Sequence, residues 1–578
     1  METGTTGLRL PGALTASVEE ALAAALAGRW AERLWARDTT LWTEDPEVAA
    51  RIAHRLGWLD APEHFRDEVA ELEAFAETVR GAGMTDLLVC GMGGSSLAPE
   101  VLASVLPRAR EGLRVHVLDS TDPAAVLAVD RGLDPARTIR AIATKSGTTT
   151  ETLAFLAHFW QAEQHRVGRI PASAAGLGFV AITDPDPSLA AIPHADLFRE
   201  VFLNPADIGG RYSALSYVGL VPAALQGLDL AALLSDAVGM AARCRLDDGA
   251  NPGVTLGVAI GALALAGRDK LTFVIEPALA PLGAWLEQLI AESTGKDGKG
   301  IVPVDGEPLG APAVYGSDRV FVRLGRMTPS AWRTETDARL AELSAAGHPV
   351  IDLPLEERHW VAGEFVRWEV ATAIAGAVLG VNPFDEPDVT GSKQNTAAVL
   401  AGYARDGHLP AEEPLARSGM LALSGDPGLA LGDGGADPVA ILRHHLGRAE
   451  VDGYHAICAY LAPGTERTAS LRALQALLRD GTQRATTLGY GPRFLHSTGQ
   501  LHKGGRPVGA FLQLVAGHPE DLPIPGRTES FGVLVDAQSL GDLASLRAHG
   551  RPVLRVDLGP DPDAGLAELI ALVRAALG

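Results

Sequence analysis

The sequence predicts an α/β fold with two parallel-sheet domains, an N-terminal helical segment and an extra C-terminal α/β unit. Short apolar runs recur along the chain, and each ends in a polar turn that leads into a helix-like segment. This alternation is typical of parallel strands that are covered by helices on both faces. The 578 residues, 47% of them hydrophobic, also supply enough apolar surface for several cores. We therefore expect four parts, at residues 1–75, 76–240, 241–400 and 401–578.

Hydrophobic periodicity predicts the elements of the first two parts. Apolar residues recur at helical spacing in the N-terminal segment, which predicts helices at 17–34, 45–56 and 62–80. The first α/β domain carries apolar strand candidates at 86–90, 114–118, 138–143 and 178–182.

The last two parts repeat the pattern, and the two α/β domains suggest a distant duplication. The second domain has strand candidates at 270–275, 319–323 and 349–352 and a long helix at 365–379. Glycine and proline in 410–438 predict a linker. The C-terminal unit has strand candidates at 454–461, 509–515 and 552–556 and helices at 469–479, 542–548 and 564–576.

The net charge of −22 argues against two classes of partner. Such a surface repels nucleic acid phosphates and anionic membranes. A small anion can still bind where backbone amides or local cations surround it. The three cysteines, Cys90, Cys244 and Cys458, share no short spacing, so we expect neither a thiolate metal centre nor a disulfide framework.

The predicted location is the cytoplasm. Residues 1–4 lack a basic segment followed by an apolar core, so no signal peptide is expected. The chain also has no apolar run of about 18 residues or more, so no transmembrane helix is expected.

A glycine-rich turn, 91–96, follows the first strand candidate and precedes a helix. Its glycines let backbone amides approach an anion closely, and the helix offers unpaired N–H groups. A dinucleotide fingerprint would need a third glycine where Ser96 stands. We therefore expect Gly94 and Ser95 to contact a sugar or sugar phosphate. A nucleotide site and a purely structural turn are the alternatives.

The segment 144–152 places six hydroxyl side chains and a glycine between a strand and a helix. Hydroxyl and amide donors suit a phosphate monoester, because each terminal phosphate oxygen accepts several hydrogen bonds. A plain helix N-cap, the alternative, would need only one hydroxyl. The candidate binding residues are Lys145, Ser146, Gly147, Thr148 and Thr149.

Three further motifs supply two cations and an acid. Arg211 follows two glycines, where a fixed guanidinium would stabilise an anionic intermediate. Glu292 closes a predicted helix before a turn rich in glycine and lysine, with Gln288 one turn earlier. Lys393 follows a turn made rigid by two prolines. Solvated side chains are the alternatives for Arg211 and Lys393.

In order and spacing, these motifs resemble the glucose-6-phosphate isomerase family of the sugar isomerase superfamily over about residues 80–400. The remainder is similar to the C-terminal extension of the isomerase half of bifunctional transaldolase/glucose-6-phosphate isomerase proteins. The resemblance implies two sugar-isomerase domains. It also implies reversible conversion of glucose 6-phosphate to fructose 6-phosphate through an enediolate, with no cofactor or metal.

The resemblance also implies roles. Glu292 is expected to be the base that moves the proton, Arg211 to stabilise the intermediate and Gln288 to contact the substrate. A free glutamate has a pKa near ~4.3, so we expect burial to raise the pKa of the base. The phosphate is expected on the hydroxyls of Ser146, Thr148 and Thr149.

The ring-opening histidine departs from the family pattern. In the family, this histidine lies between the base and the proline-containing turn. The same interval here holds His348 and His359, and neither has the neighbouring residues of the family motif. A segment similar to the family's histidine motif lies in the C-terminal unit instead, at 497–502. We therefore hypothesise that His496 or His502 reaches the site, from the same chain or a partner subunit, and acts with Lys393. The alternative is that both are ordinary loop histidines.

Glu386 replaces the family's usual glutamine, and its charge is expected to alter the pKa of Lys393.

The sequence leaves other functions open. The alternatives are a non-catalytic sugar-phosphate-binding regulator, an isomerase that also takes mannose 6-phosphate, and a nucleotide-dependent oxidoreductase. Glu292, Arg211 and Lys393 together favour an enzyme, because a binder needs no base. The resemblance implies a homodimer.

Overall fold

A computed structural model describes residues 7–168, 172–355, 360–429 and 437–578. Residues 1–4, on which the signal-peptide prediction rests, and His359 lie outside these ranges. Three sheets form within them, of five, five and six strands. None of the helices in these ranges combines the length and apolar composition needed to cross a bilayer.

The N-terminal segment is helical except at its start. Its elements are β1 (Gly7–Arg9), α1 (Gly12–Ala27), α2 (Trp30–Trp35), α3 (Pro46–Ala53), α4 (Ala61–His64) and α5 (Val69–Gly81). The prediction of an entirely helical segment is wrong for β1, which pairs antiparallel with a strand of the second sheet. The start of α3 is well specified, because the Asp45 carboxylate accepts hydrogen bonds from the N–H groups of Glu47 and Val48.

The first sheet is entirely parallel, as predicted. The elements of this region are β2 (Asp86–Gly91), α6 (Gly94–Val105), β3 (Arg114–Leu118), α7 (Pro123–Gly132), β4 (Thr138–Ala143), α8 (Thr150–Val167), α9 (Ala172–Gly176), β5 (Phe179–Thr183) and β6 (Glu200–Leu203). The strand order is β3-β2-β4-β5-β6. The loops after β2, β4 and β5 therefore leave the same edge of the sheet, where ligands bind in folds of this type.

The second sheet has the order β1-β10-β9-β7-β8. This region contains α10 (Tyr217–Gln226), α11 (Leu230–Cys244), α12 (Pro252–Leu265), β7 (Lys270–Ile275), α13 (Pro281–Thr294), β8 (Val302–Val304), β9 (Arg319–Arg326), α14 (Ala331–Ala345), β10 (Val350–Leu355), α15 (Trp360–Leu379) and α16 (Pro387–Asp406). Helix α15 is apolar almost all round and packs against α11, α12 and α13, so it forms the centre of the core.

The C-terminal unit is a six-stranded mixed sheet with the order β11-β12-β16-β15-β13-β14. It contains β11 (Ala416–Ser418), β12 (Leu421–Gly425), α17 (Pro438–Leu446), β13 (Tyr454–Tyr460), α18 (Thr465–Thr482), β14 (Ala485–Tyr490), α19 (Gly499–Gly504), β15 (Ala510–Val515), α20 (Phe531–Ala548), β16 (Val553–Asp557) and α21 (Pro562–Leu577). The linker prediction for 410–438 is wrong at 416–425, because β12 pairs with β16. Residues 430–436 lie outside the described residues.

The C-terminal unit docks on both α/β domains. Helix α20 packs on α16, and α19 packs on α13 and α16. The ring of Phe531 stacks on that of Phe155 in α8, with centroids 6.1 Å apart. This docking carries the turn after β14 to the ligand-binding edge of the first sheet.

Candidate active site

A cavity of about 910 Å³ opens at the carboxyl edge of the first sheet. Ten of the thirteen predicted site residues line it: Gly94, Ser95, Lys145, Ser146, Thr149, Arg211, Gln288, Glu292, Lys393 and His496. Gly147, Thr148 and His502 do not. Thr148 instead lines an adjoining cavity of about 360 Å³, which shares Thr149, Lys393 and His496 with the first.

Two glycines bring the loops of the cavity close together. A Cβ on Gly94 would lie only 2.0 Å from the carbonyl oxygen of Gly210, so the two glycine-rich loops can pack only without side chains there. Gly147 has φ +68°, and a Cβ on it would lie 2.0 Å from the carbonyl oxygen of Ser188. The glycine at position 147 is therefore required by the conformation and close packing of the loop.

Glu292 lies near the end of α13 and is only 7% exposed. Its carboxylate accepts a hydrogen bond from Gln288 Nε2 at 3.0 Å and lies 3.3 Å from Arg211 Nη1. Burial raises the pKa of Glu292 above its ordinary value, although the charge of Arg211 acts in the opposite direction. The side chain is thus a buried carboxyl group with a raised pKa, held beside a cation.

Arg211 is fixed by four acceptors besides Glu292. Its Nε donates to Ser293 Oγ at 2.8 Å, and its Nη1 donates to Glu386 Oε2 at 3.0 Å. Its Nη2 donates to the carbonyl oxygens of Pro383 and Asp385, both at 2.9 Å. A guanidinium bound on this many sides cannot reorient during a reaction, so its charge is preorganised.

Glu386 pairs with Arg211. The influence of its charge on Lys393 stays a prediction. Burial disfavours the charged form of Glu386, yet the charge of Arg211 holds its pKa below the ordinary value. Lys393 lies on α16 with an exposed side chain at the cavity wall.

A second lysine, which the sequence analysis did not single out, supports the same turn. Lys296 is 3% exposed, and its Nζ lies 2.8 Å from Asp385 Oδ1. Burial lowers the pKa of Lys296 to about 8. Because Asp385 also accepts from Asn382 Nδ2 at 2.9 Å, the turn that holds Arg211 is itself braced.

The hydroxyl-rich loop after β4 has internal hydrogen bonds and a compensated cation. Thr144 Oγ1 lies 2.8 Å from Thr149 Oγ1. Lys145 Nζ pairs with the Asp184 carboxylate and donates to the carbonyl oxygen of Ala206 at 3.1 Å. Burial raises the pKa of Asp184, and the charge of Lys145 opposes that rise.

His496 enters the cavity from the turn after β14. Its Nε2 lies 3.0 Å from Glu151 Oε1, and its carbonyl oxygen accepts from Gln288 Nε2 at 2.7 Å. Glu151 also accepts from Gln538 Nε2 at 2.6 Å. Although burial disfavours its charged form, the pairing with His496 holds the pKa of Glu151 below its ordinary value. Glu151 lies within the hydroxyl-rich segment 144–152, but no local pattern marks it as a partner for a histidine.

His502 lies outside the cavity. It is 3% exposed and packs among the rings of Tyr454, Phe494 and Phe511. Neither ring nitrogen has a hydrogen-bond partner in the described part of the chain, and burial lowers its pKa well below the ordinary value. Of the two histidines, His496 therefore meets the geometric expectation. Across the described residues, no group of three or more potential metal ligands converges.

Comparisons with known proteins identify relatives of this chain. The family described as Phosphoglucose isomerase matches residues 47–306. A glucose-6-phosphate isomerase of Rubrobacter xylanophilus is 34% identical over 401 residues, which cover 60% of this chain and 90% of the relative. One from Thermus thermophilus is 30% identical over 393 residues, with 60% and 90% covered.

Solved structures show the same fold. A Thermus thermophilus protein described as hypothetical aligns with a TM-score of 0.56 and 26% identity, covering 68% of this chain and all of the other. A glucose-6-phosphate isomerase of Chlamydia trachomatis aligns with a TM-score of 0.51 and 21% identity, covering 65% and 78%. With a relative 34% identical over nine-tenths of its length, this chain belongs to the phosphoglucose isomerase family.

Proposed function

We propose that this enzyme interconverts glucose 6-phosphate and fructose 6-phosphate by moving a proton between C1 and C2. The observation that carries the proposal is the buried Glu292 carboxylate, 3.3 Å from the fixed guanidinium of Arg211 in the main cavity. An acid and a cation in this arrangement suit removal of a carbon-bound proton and stabilisation of the enediolate that results.

Glu292 acts as the base in this proposal. It takes the C2 proton of the open-chain aldose and returns a proton to C1. A proton also passes from the C2 hydroxyl to the C1 oxygen, so the carbonyl moves from C1 to C2. Because burial raises its pKa, the carboxylate is a better proton acceptor than an exposed glutamate. Gln288 Oε1 is buried without a hydrogen-bond partner among the described residues, so it can accept from a sugar hydroxyl beside the reacting carbons.

The hydroxyl-rich loop holds the phosphate. Ser146 and Thr149 line the cavity, and Thr148 lies 3.0 Å from Ser146 through their hydroxyl oxygens. Phosphate binding there anchors the far end of the substrate and orients the reacting carbons against Glu292. Binding energy from such remote contacts lowers the barrier only when it fixes this orientation.

His496 and Lys393 open the sugar ring in this proposal. Both side chains line the cavity. Ring opening needs one proton added to the ring oxygen and one removed from the C1 hydroxyl. Glu151 contacts Nε2 of His496 and orients its imidazole, so Glu151 is a positioning residue. Because His496 belongs to the same chain as Glu292, this group does not depend on a partner subunit.

His496→Gln is expected to slow turnover of cyclic glucose 6-phosphate by about 10²-fold or more, the size of a lost general acid–base contribution. Proton exchange at C2 of an open-chain analogue should change much less, because Glu292 is untouched. Steady-state kinetics and exchange into deuterated water measure the two steps. His165→Gln, on the exposed face of α8, is the matched control. Equal losses in both measurements would contradict a ring-opening role.

A homodimer forms part of the proposal, supported by the family resemblance. Light scattering on a size-exclusion column is expected to give twice the 60.3 kDa chain mass. A fully active monomer would remove the dimer from the account and leave the chemistry intact. The cytoplasm is the compartment that the proposal implies, because membranes retain charged sugar phosphates there.

A coupled assay tests the function directly. Fructose 6-phosphate is supplied, and glucose 6-phosphate is measured with an auxiliary dehydrogenase. The proposal requires turnover that is absent from a Glu292→Gln preparation. A purified chain that binds fructose 6-phosphate without turnover would instead be a sugar-phosphate-binding regulator.

A further inference from the structure

Helix α3 brings three basic side chains to the mouth of the main cavity. Arg51, His54 and Arg55 line it, although they belong to the N-terminal segment and to neither α/β domain. Arg51 lies in the last turn of α3, and His54 and Arg55 directly follow the helix, so all three lie at its C-terminal end. No motif in the sequence pointed to them.

These side chains form no ion pairs among the described residues, although Arg55 interacts over a longer range with Asp184 and Glu386. In the described ranges, none of the three forms a side-chain hydrogen bond either. Two nearby arginines do form ion pairs. Arg33, in α2, pairs with Asp38, and Arg37, just after α2, pairs with Asp60.

The charge of Arg55 reaches into the site. Burial raises the pKa of Asp184, and the charges of Lys145 and then Arg55 oppose that rise. On the side of the catalytic turn, burial disfavours the charged form of Glu386, and the charges of Arg211 and Arg55 favour it. Arg55 therefore acts electrostatically on both the phosphate-loop side and the catalytic side of the cavity.

The phosphate loop has a corresponding shortage of free positive charge. Its one cation, Lys145, is already paired with Asp184. A sugar phosphate carries close to two negative charges at neutral pH. In a chain of net charge −22, such a ligand needs local positive charge. Arg51, His54 and Arg55 supply this positive charge at the entrance of the cavity.

We propose that Arg51, His54 and Arg55 form an anion subsite that binds the substrate phosphate together with the loop after β4. This inference rests on the proposed sugar-phosphate substrate, and it makes the N-terminal segment part of substrate recognition. The two arginines donate charge-assisted hydrogen bonds, and the imidazole adds one donor. The competing explanation is that these cations only stabilise the C-terminal end of α3 through its dipole.

The test uses Arg51→Gln/Arg55→Gln in the full chain. The KM for fructose 6-phosphate is expected to rise at least about tenfold, the size of a lost hydrogen bond to a charged group, with kcat within about twofold. Calorimetric titration of fructose 6-phosphate into the same substitutions combined with Glu292→Gln should show a matching rise in Kd. The dependence of KM on ionic strength should also become shallower.

Arg66→Gln is the matched control, because Arg66 is an exposed arginine of the same N-terminal segment and is not among the residues that line the cavity. It removes one positive charge, and KM should stay at the wild-type value. Arg55→Lys in place of Arg55→Gln keeps the charge, and it should recover part of the affinity for fructose 6-phosphate. Unchanged KM and Kd in the double variant, with a lowered thermal midpoint, would overturn the subsite and leave α3 stabilisation as the explanation.

The outcomes also separate this inference from the proposed function. Arginine-dependent binding of fructose 6-phosphate without any wild-type turnover would support the subsite and reject the isomerase. Wild-type isomerase activity that is indifferent to Arg51 and Arg55 would reject the subsite and support the isomerase.

Discussion

Glu292→Gln is expected to lower kcat by about 10²–10⁴-fold while fructose 6-phosphate still binds. The amide keeps the shape of the side chain and can still contact Gln288, but it cannot accept a proton from carbon. The loss should therefore appear in kcat, measured in the coupled assay. The Kd for fructose 6-phosphate, measured by calorimetry, should stay within about tenfold, because one hydrogen bond is altered.

The matched control is Glu287→Gln, five residues earlier on α13. Glu287 is also buried, at 8% exposure, but it is not among the residues that line the main cavity. Burial raises its pKa to about 8, so the carboxyl is largely neutral at pH 7 and an amide is a close replacement. Its kcat should remain near the wild-type value. Wild-type turnover in Glu292→Gln would remove Glu292 as the base.

The acid side of the wild-type pH profile reports the same carboxyl group. The base must be deprotonated, and its pKa is raised above 4.5 by burial. The value of kcat/KM, which reflects the free enzyme, should therefore decline as pH falls through that raised pKa. A profile that stays flat down to the ordinary pKa of glutamate would contradict the effect of burial.

Arg211→Gln is expected to lower kcat by about 10²–10³-fold, the size reported for losing one preorganised donor to a developing oxyanion. The KM should change much less, because the enediolate carries more negative charge than the substrate carbonyl. Glu292 and Glu386 would then face each other without the guanidinium that lies between them. The pKa of Glu292 should rise further, and the acid limb of the pH profile should move to higher pH.

Stability must be separated from catalysis for this variant. Breaking a buried ion pair can cost about 3–5 kcal/mol of stability. Arg367→Gln is the matched control, because the side chain of Arg367 is 4% exposed and pairs with Glu364 at 3.1 Å, and neither residue lines the main cavity. It should lose stability and keep kcat. A KM effect larger than the kcat effect in Arg211→Gln would mean that the arginine serves ground-state binding.

Local patterns predicted the parallel strands that carry the site. The strands β2, β4 and β5 lie within one residue of their predicted bounds, because each is a buried apolar run followed by a polar turn. The short strands β6, β8, β11 and β12 were missed. Three to five residues give little periodicity, and β12 is a strand because it pairs with β16, more than a hundred residues later.

The catalytic candidates divide in the same way. Arg211 and Glu292 stand in motifs that are continuous in sequence, so they could be recognised. The pair of Glu151 and His496 spans 345 residues and exists only because the C-terminal unit docks on α8. His502 has the more suggestive sequence neighbours, yet it faces the aromatic core of that unit. Arg51 and Arg55 looked like part of an ordinary solvated helix, because nothing local shows that their helix faces a cavity.

The most direct test of the account follows the proton itself. Glucose 6-phosphate labelled with deuterium at C2 is converted in ordinary water, and the label is located in fructose 6-phosphate. A single carboxylate shuttle predicts that part of the label appears at C1 and the rest exchanges into water, with neither outcome in Glu292→Gln. Complete retention of the label at C1 would indicate direct hydride migration, and exchange that persists in Glu292→Gln would place the base elsewhere.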